Sequence, residues 1–397
     1  MATITAQGRR IDVSPGLVAW FGVLAAIIVL GFVSFIRQTV DGHQLTGLSN
    51  NNPWGLYISG FVFFIGTSAG ATIVGFLIHA FGRKDYEPLA TRALIVGLMS
   101  LMAAVLFIAV DVGSILRMVR LPIVWRNETS MFTYTSASYY LFGLLLAAEI
   151  YLAVKTTLGK ASDKEKRWAK VLAIAAVPFA LIIVHAATGS LFAVVKAREF
   201  WNTPLLPPHF AVVALLSGTA ALTIAASAGS AVSGRPLVSR ETLSHMGIML
   251  GLFISIAAFL DLFDFIVFSY SDTITGNTAW EFLSGPNLAF SIVHVGGYIV
   301  ALSILMSKRG RETPWLTVAA AVAFIAVAAY RYNLTIVGQA PPLMPFLEDP
   351  SYAPTWVEGS VAAGIMAFVL LGYSVLTRVL PMEEPAGPLS DIKGRTP

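Results

Sequence analysis

Residues 17–36 read LVAWFGVLAAIIVLGFVSFI, without one charged side chain. The hydrocarbon core of a bilayer is about 30 Å thick and takes about 20 helical residues to cross, so this stretch has the length and character of a membrane span. Comparable apolar runs recur at 54–81, 93–113, 138–158, 169–195, 209–228, 245–269, 287–306, 315–337 and 357–380. None alternates as a barrel strand does, and backbone groups in lipid must be paired within their own segment. The reading is an all-α integral membrane protein with ten transmembrane helices. Arg9 and Arg10 precede the first run. That run is too long for a signal-peptide core and no small-x-small cleavage site follows it, so it is expected to be retained.

Composition agrees. The 397-residue chain is 56% hydrophobic and 12% charged, against about 25% charged for an ordinary soluble domain. It has no cysteine, which excludes a disulfide framework, a thiol nucleophile, Cys-ligated zinc and any iron–sulfur cluster held by this chain. The net charge of +4 reports orientation in a membrane protein rather than a nucleic-acid partner.

Nineteen of the 26 Lys and Arg residues fall on the side of the N-terminus, Arg331 lies inside a span, and the other face carries Arg37, Arg117, Arg120, Arg126, Lys196 and Arg198. The positive-inside rule then puts both termini in the cytoplasm. The expected organisation is a cytoplasmic N-terminus (1–16), a ten-helix domain (17–380) and a cytoplasmic tail (381–397). Helices 2–5 (54–195) and 6–9 (209–337) form two groups of four running in the same sense, flanked by helices 1 and 10. The opposite, outer face carries the long loops 37–53, 114–137, 196–208, 270–286 and 338–356, which are rich in Pro, Trp, Tyr and Asn. Such loops suit the docking of a partner subunit.

Ionisable groups inside a bilayer are costly, so each is a functional candidate. They are His79, Asp111, Glu149, His185, Asp261, Asp264, His294, Arg331 and Glu358. Each group of four carries acid late in its second helix (Asp111; Asp261 and Asp264) and a base in its fourth (His185; Arg331). Arg331 with Glu358, Asp261 or Asp264 reads as a structural ion pair, because an unpaired buried charge is strongly destabilising. Asp111 and His185, read at similar depth, are placed to take protons from a quinol hydroxyl as its electrons leave. Glu149 and His79, with Asp261 and Asp264, are candidates for a proton route. Bis-His haem ligation competes through His185/His294 or His79/His245, but the several-turn His spacing of a two-haem bundle is missing. A secondary transporter is the rival class, since ten helices with midplane charges suit it too. A bare structural anchor is the third reading.

At Asn52-Pro53-Trp54-Gly55-Leu56-Tyr57-Ile58 the chain resembles the NrfD/PsrC (polysulfide-reductase-type) family of membrane subunits, in the long ten-helix branch similar to HybB and DsrP. The small-residue stretch Gly66-Thr67-Ser68-Ala69-Gly70, the Asp111-Val112-Gly113 helix end, and His185 followed by Gly189-Ser190-Leu191 carry the same resemblance. So do Arg331 and the segment Tyr352-Ala353-Pro354-Thr355-Trp356-Val357-Glu358. The resemblance implies a quinone-reactive membrane anchor of a respiratory oxidoreductase in a bacterial or archaeal cytoplasmic membrane. Such an anchor binds menaquinone or ubiquinone and neither haem, metal nor iron–sulfur cluster. Its electrons pass to or from a ferredoxin-like, multi-cluster iron–sulfur subunit on the outer face, with a molybdopterin enzyme, hydrogenase or cytochrome c beyond. The implied quinone pocket lies in the first bundle and carries over to Trp54, Gly55, Tyr57, Asp111, His185 and Ser190, with Asp111 and His185 as the catalytic pair.

Overall fold

The computed structural model describes residues 2–6, 9–81, 86–113, 127, 129–233, 236–270, 277, 284–339 and 352–382, with the side chains of 2–13, 79–81, 233 and 311 outside that description. The His79 side chain, the tail from 383 on and much of the loops 114–137, 270–286 and 338–356 thus lie outside the described residues.

A short antiparallel hairpin, β1 (Ala2–Ala6) and β2 (Arg9–Val13), precedes the membrane part. Ten helices long and apolar enough to span a bilayer follow among the described residues. They are α1 (Pro15–Asp41), α2 (Leu56–Phe81), α3 (Glu87–Val112), α4 (Met131–Thr157) and α5 (Asp163–Ala193). Then come α6 (Leu206–Ser233), α7 (Arg240–Ser269), α8 (Leu288–Met306), α9 (Thr313–Val337) and α10 (Trp356–Val379). The chain is a multi-pass integral membrane protein.

Local chemistry sets the helix ends. Ser14 caps α1 by accepting the Leu17 N–H at 3.2 Å, and Pro15 stands in the first turn, where its missing N–H costs nothing. Ser162 with Glu165 makes a capping box at the start of α5. Gly113 closes α3 in the left-handed region at φ +65°. Two helices are locally widened into π turns, α5 over Phe179–Ala186 and α8 over Ile292–Gly296. Each widened turn carries a buried histidine, His185 and His294, and such turns concentrate at functional sites.

The most buried span is α2, and α1 is the least. On one side α2 packs against α3 and α5, on the other against α6 and α9; α1 pairs with α10, and α10 leans on α3. Lipid tails are as apolar as leucine, so close backbone approach replaces the hydrophobic drive between spans. A Cβ on Gly70 or Gly218 would overlap the backbone of the facing helix across the α2–α6 seam. At the α1–α10 crossing, a Cβ on Gly31 would sit 2.8 Å from both Gly364 Cα and the Ser360 carbonyl oxygen. The α2–α6 seam, with the packing of α2 on α3, α5 and α9, makes α2 the element to which both groups of helices are attached.

By helix alternation, the N-terminus of α2, the C-terminus of α3 and the N-terminus of α10 share the face opposite the two chain termini. That face is called the far face below.

Candidate functional site

At the far face the start of α10 is tied to the start of α2. Thr355 caps α10, and the Glu358 carboxylate reaches back to the Thr355 N–H at 2.9 Å, completing a capping box. The same carboxylate accepts the Gly47 N–H at 2.8 Å and the Tyr352 hydroxyl at 2.7 Å, while Tyr352 Oη accepts the Leu56 N–H at 2.7 Å. Burial first and the Glu358 charge second push the Tyr352 phenol well above its ordinary value, so it stays a donor to Glu358. Gly55 has to be glycine here, since a Cβ would stand 2.6 Å from the Tyr352 ring.

An aromatic wall adjoins this clamp. Trp54 stacks on Trp201 with centroids 5.1 Å apart and meets Phe192 edge-on at 5.3 Å. The Gln339 side chain bridges the Trp54 backbone, accepting its N–H at 3.1 Å and donating to its carbonyl at 2.8 Å. Arg198 donates to the Gln339 carbonyl at 2.9 Å.

Beside the wall, Tyr57 is fully buried and donates to Gln38 Oε1 at 2.6 Å. Asp111, in the last turn of α3, shares an electrostatic neighbourhood with Tyr57 and Glu358. One of its carboxylate oxygens is buried with no hydrogen-bond partner among the described residues. A buried acceptor without a donor is costly unless a ligand or proton satisfies it. Trp54, Gly55, Tyr57, Asp111 and Glu358, scattered over some 300 residues, thus meet at the far end of the first bundle. Ser190 is close in sequence to Phe192 of the wall, but its hydroxyl is spent on the Ala186 carbonyl at 2.7 Å.

His185 is elsewhere. Its Nε2 is buried without a hydrogen bond among the described residues and lies 3.7 Å from where a Gly66 Cβ would be, close to Ala214 and Ser217 of α6. The charge of Asp111 is felt by Tyr57, and the His185 ring lies against Gly66, so both candidates face α2.

Among the described residues the expected Arg331–Glu358 ion pair is not formed. The carboxylate is committed to Thr355, Gly47 and Tyr352. Arg331, 1% exposed, lays its guanidinium over the Phe210 ring at 3.8 Å and reaches the Phe210 carbonyl at 3.5 Å. The charge of Arg331 is felt by His185 in the first bundle and by His209 and Asp261 in the second. Glu149 is buried on α4. His245, the partner considered for His79 in haem ligation, has its Nδ1 3.1 Å from the Tyr86 hydroxyl.

In the second bundle, Asp261 of α7 stands between two histidines. His209 Nε2 lies 3.4 Å from Oδ1, and His294 Nε2 lies 3.2 Å from Oδ2. Tyr330 Oη is 3.0 Å from His209 Nδ1. Asp264, one turn on, accepts the Thr203 hydroxyl at 3.3 Å. This cluster lines a cavity of about 320 Å³ whose remaining walls are largely apolar.

With both bundles described, comparison with known proteins places the chain. Residues 44–342 match the family described as "Polysulphide reductase, NrfD". The chain belongs to the NrfD family. It is 27% identical to a subunit of the selenate reductase of Mesobacillus selenatarsenatis, over 91% of this chain and 94% of the relative. It is 28% identical to the Hdr-like menaquinol oxidoreductase integral membrane subunit of Archaeoglobus fulgidus, covering 89% and 90% of the two chains. The menaquinone reductase integral membrane subunit of Nitratidesulfovibrio vulgaris is 24% identical, covering 91% of each.

Within this NrfD-family chain several residues of the two clusters carry no signal in the sequence. His209 is the first residue of its apolar run and looks like part of a flank. Tyr298 and Tyr330 are ordinary aromatic residues of a span until the fold turns them toward His294 and His209. Gln38 and Gln339 belong to no motif, and only the close approach of α1 and α9 to the start of α2 gives them roles.

Proposed function

We propose that this chain is the quinone-reactive membrane subunit of a respiratory oxidoreductase, with the ring held at the far end of the first bundle. The observation that carries the reading is Asp111: a buried carboxylate oxygen without a hydrogen-bond partner among the described residues, at the same end of the first bundle as Tyr57 and the Trp54–Trp201–Phe192 wall. The relatives described as menaquinol oxidoreductase and menaquinone reductase subunits support the ligand class.

A bound menaquinone or ubiquinone supplies two-electron, two-proton chemistry. The residues fit such a ring: Asp111 accepts a ring-hydroxyl proton or returns it, and the Trp54 wall packs the ring and excludes water. Asp111 lies in the last turn of α3, so a proton taken there has a short way to the far face. Electrons pass to or from a ferredoxin-like iron–sulfur subunit docked on that face, because a chain without cysteine holds no cluster of its own. In this reading both termini are cytoplasmic and the docking face is the outer one, as the distribution of Lys and Arg favours.

Titration of the purified full chain in nanodiscs with a fluorescent quinol-site inhibitor tests the reading. Saturable binding that weakens at least about tenfold in Asp111→Asn, or about 1.4 kcal/mol, is the expected result. Ion-gradient-driven solute uptake by vesicles, with no quinol-site binding, would overturn it in favour of a transporter.

A further inference from the structure

We infer that the cavity of the second bundle is a separate binding site for a lipid-soluble quinone or quinol. The inference goes beyond the first-bundle site and stands on different residues. Its volume, about 320 Å³, falls at the small end of the range for ligand pockets, about 300–1,000 Å³.

The polar groups on the cavity wall are His209, Asp261, Asp264, His294, Tyr298 and Tyr330, contributed by α6, α7, α8 and α9, and the rest of the lining is apolar. The Tyr298 hydroxyl, also on the lining, and His294 Nδ1 are buried with no hydrogen-bond partner among the described residues. Leu262 of α7 and Ile299 of α8, also on the lining, are 54% and 61% exposed, which within a membrane span means facing lipid. The opening therefore lies between two spans, within the bilayer.

This combination of polar and lipid-facing lining selects the ligand. A hydrophilic solute does not enter through a mouth of leucine and isoleucine, because shedding its water there costs several kcal/mol per unsatisfied polar group. A phospholipid acyl chain passes the mouth but offers nothing to the Tyr298 hydroxyl or to the histidines. A ring bearing carbonyl or hydroxyl oxygens on an isoprenoid tail satisfies both. The Tyr298 hydroxyl donates to a ring oxygen, a quinol hydroxyl donates to His294 Nδ1, whose Nε2 faces Asp261, and the tail leaves between α7 and α8 into the lipid.

The test is photolabelling of vesicles carrying the full chain with an azido-quinone, followed by peptide mapping. The site predicts saturable label on segments 258–268 and 295–302, reduced about tenfold by Ile299→Trp, which fills the mouth from an exposed position. The same label persists in Asp111→Asn, so loss of the first site is read independently. Label that is indifferent to Ile299→Trp or confined to α2 and α3 overturns the inference. So does a phospholipid that co-purifies in the cavity and is not displaced by the quinone.

Discussion

Tyr352 and Glu358 share a hydrogen bond of 2.7 Å that couples the start of α10 to the start of α2, because the same hydroxyl accepts the Leu56 N–H. One side chain thus satisfies an orphan donor at a helix N-terminus and a buried carboxylate together. Glu358 in turn holds the Gly47 and Thr355 amides. The pair is a latch over the aromatic wall at the far end of the first bundle.

Tyr352→Phe removes the hydroxyl and leaves the buried Glu358 carboxylate and the part-buried Leu56 amide each short of a partner. Each unsatisfied group costs about 1–3 kcal/mol, so a thermal-unfolding series in detergent will show a clear drop in midpoint. Glu358→Gln keeps the shape but weakens the bonds to the two amides, and is expected to fall between wild type and Tyr352→Phe.

The α2–α6 seam depends on glycine for space rather than for backbone freedom. Gly70→Val and Gly218→Val both drive a side chain into the facing backbone and should abolish recovery of folded, monodisperse protein. Gly22→Ala, on the exposed helix α1 where a Cβ meets nothing within 4 Å, should behave as wild type in the same chromatographic assay. Equal recovery of all three variants would show that the seam does not hold the two groups of helices together.

Arg331 is held by a ring, not by a carboxylate. A buried guanidinium stacked on an aromatic face is worth about 2 kcal/mol, and a lysine ammonium does not reproduce its planar stacking. Phe210→Leu and Arg331→Lys are therefore expected to lower the unfolding midpoint by similar amounts, and the double variant by little more than either. Additive losses in that cycle would show that the two residues act separately.

The ten spans are legible in the sequence because the bilayer imposes a length and a polarity on every segment. Their ends are less so. Helix α3 begins at Glu87 rather than 93, and α4 at Met131 rather than 138, since helices run past the hydrocarbon edge into polar residues that an apolar scan discards. The residues meeting at the far face are largely those that the motif resemblance picks out. Their partners are not, because rotation about each helix axis decides them. Asp111 and His185 illustrate the limit: both lie in the far half of their helices, but that Asp111 is felt by Tyr57 and that the His185 ring lies against Gly66 emerges only from the fold. Arg331 and Glu358 illustrate it again, since each has a nearer use than the other. The Asp261 cluster needs His209 and Tyr330 from two further helices, and nothing in the local sequence ties them together.

The proposed function rests on Asp111 exchanging a proton with the quinone ring. The direct measurement is quinol-dependent electron transfer in native membranes, comparing wild type with Asp111→Asn and Asp111→Glu at matched chain levels. A positioned acid–base group contributes about 10²–10⁴-fold to rate. Proton exchange at Asp111 predicts a loss on that scale for Asn, partial recovery with Glu and an unchanged unfolding midpoint in both. Turnover of the Asp111→Asn variant within about twofold of wild type, well below the range for such a group, would contradict it.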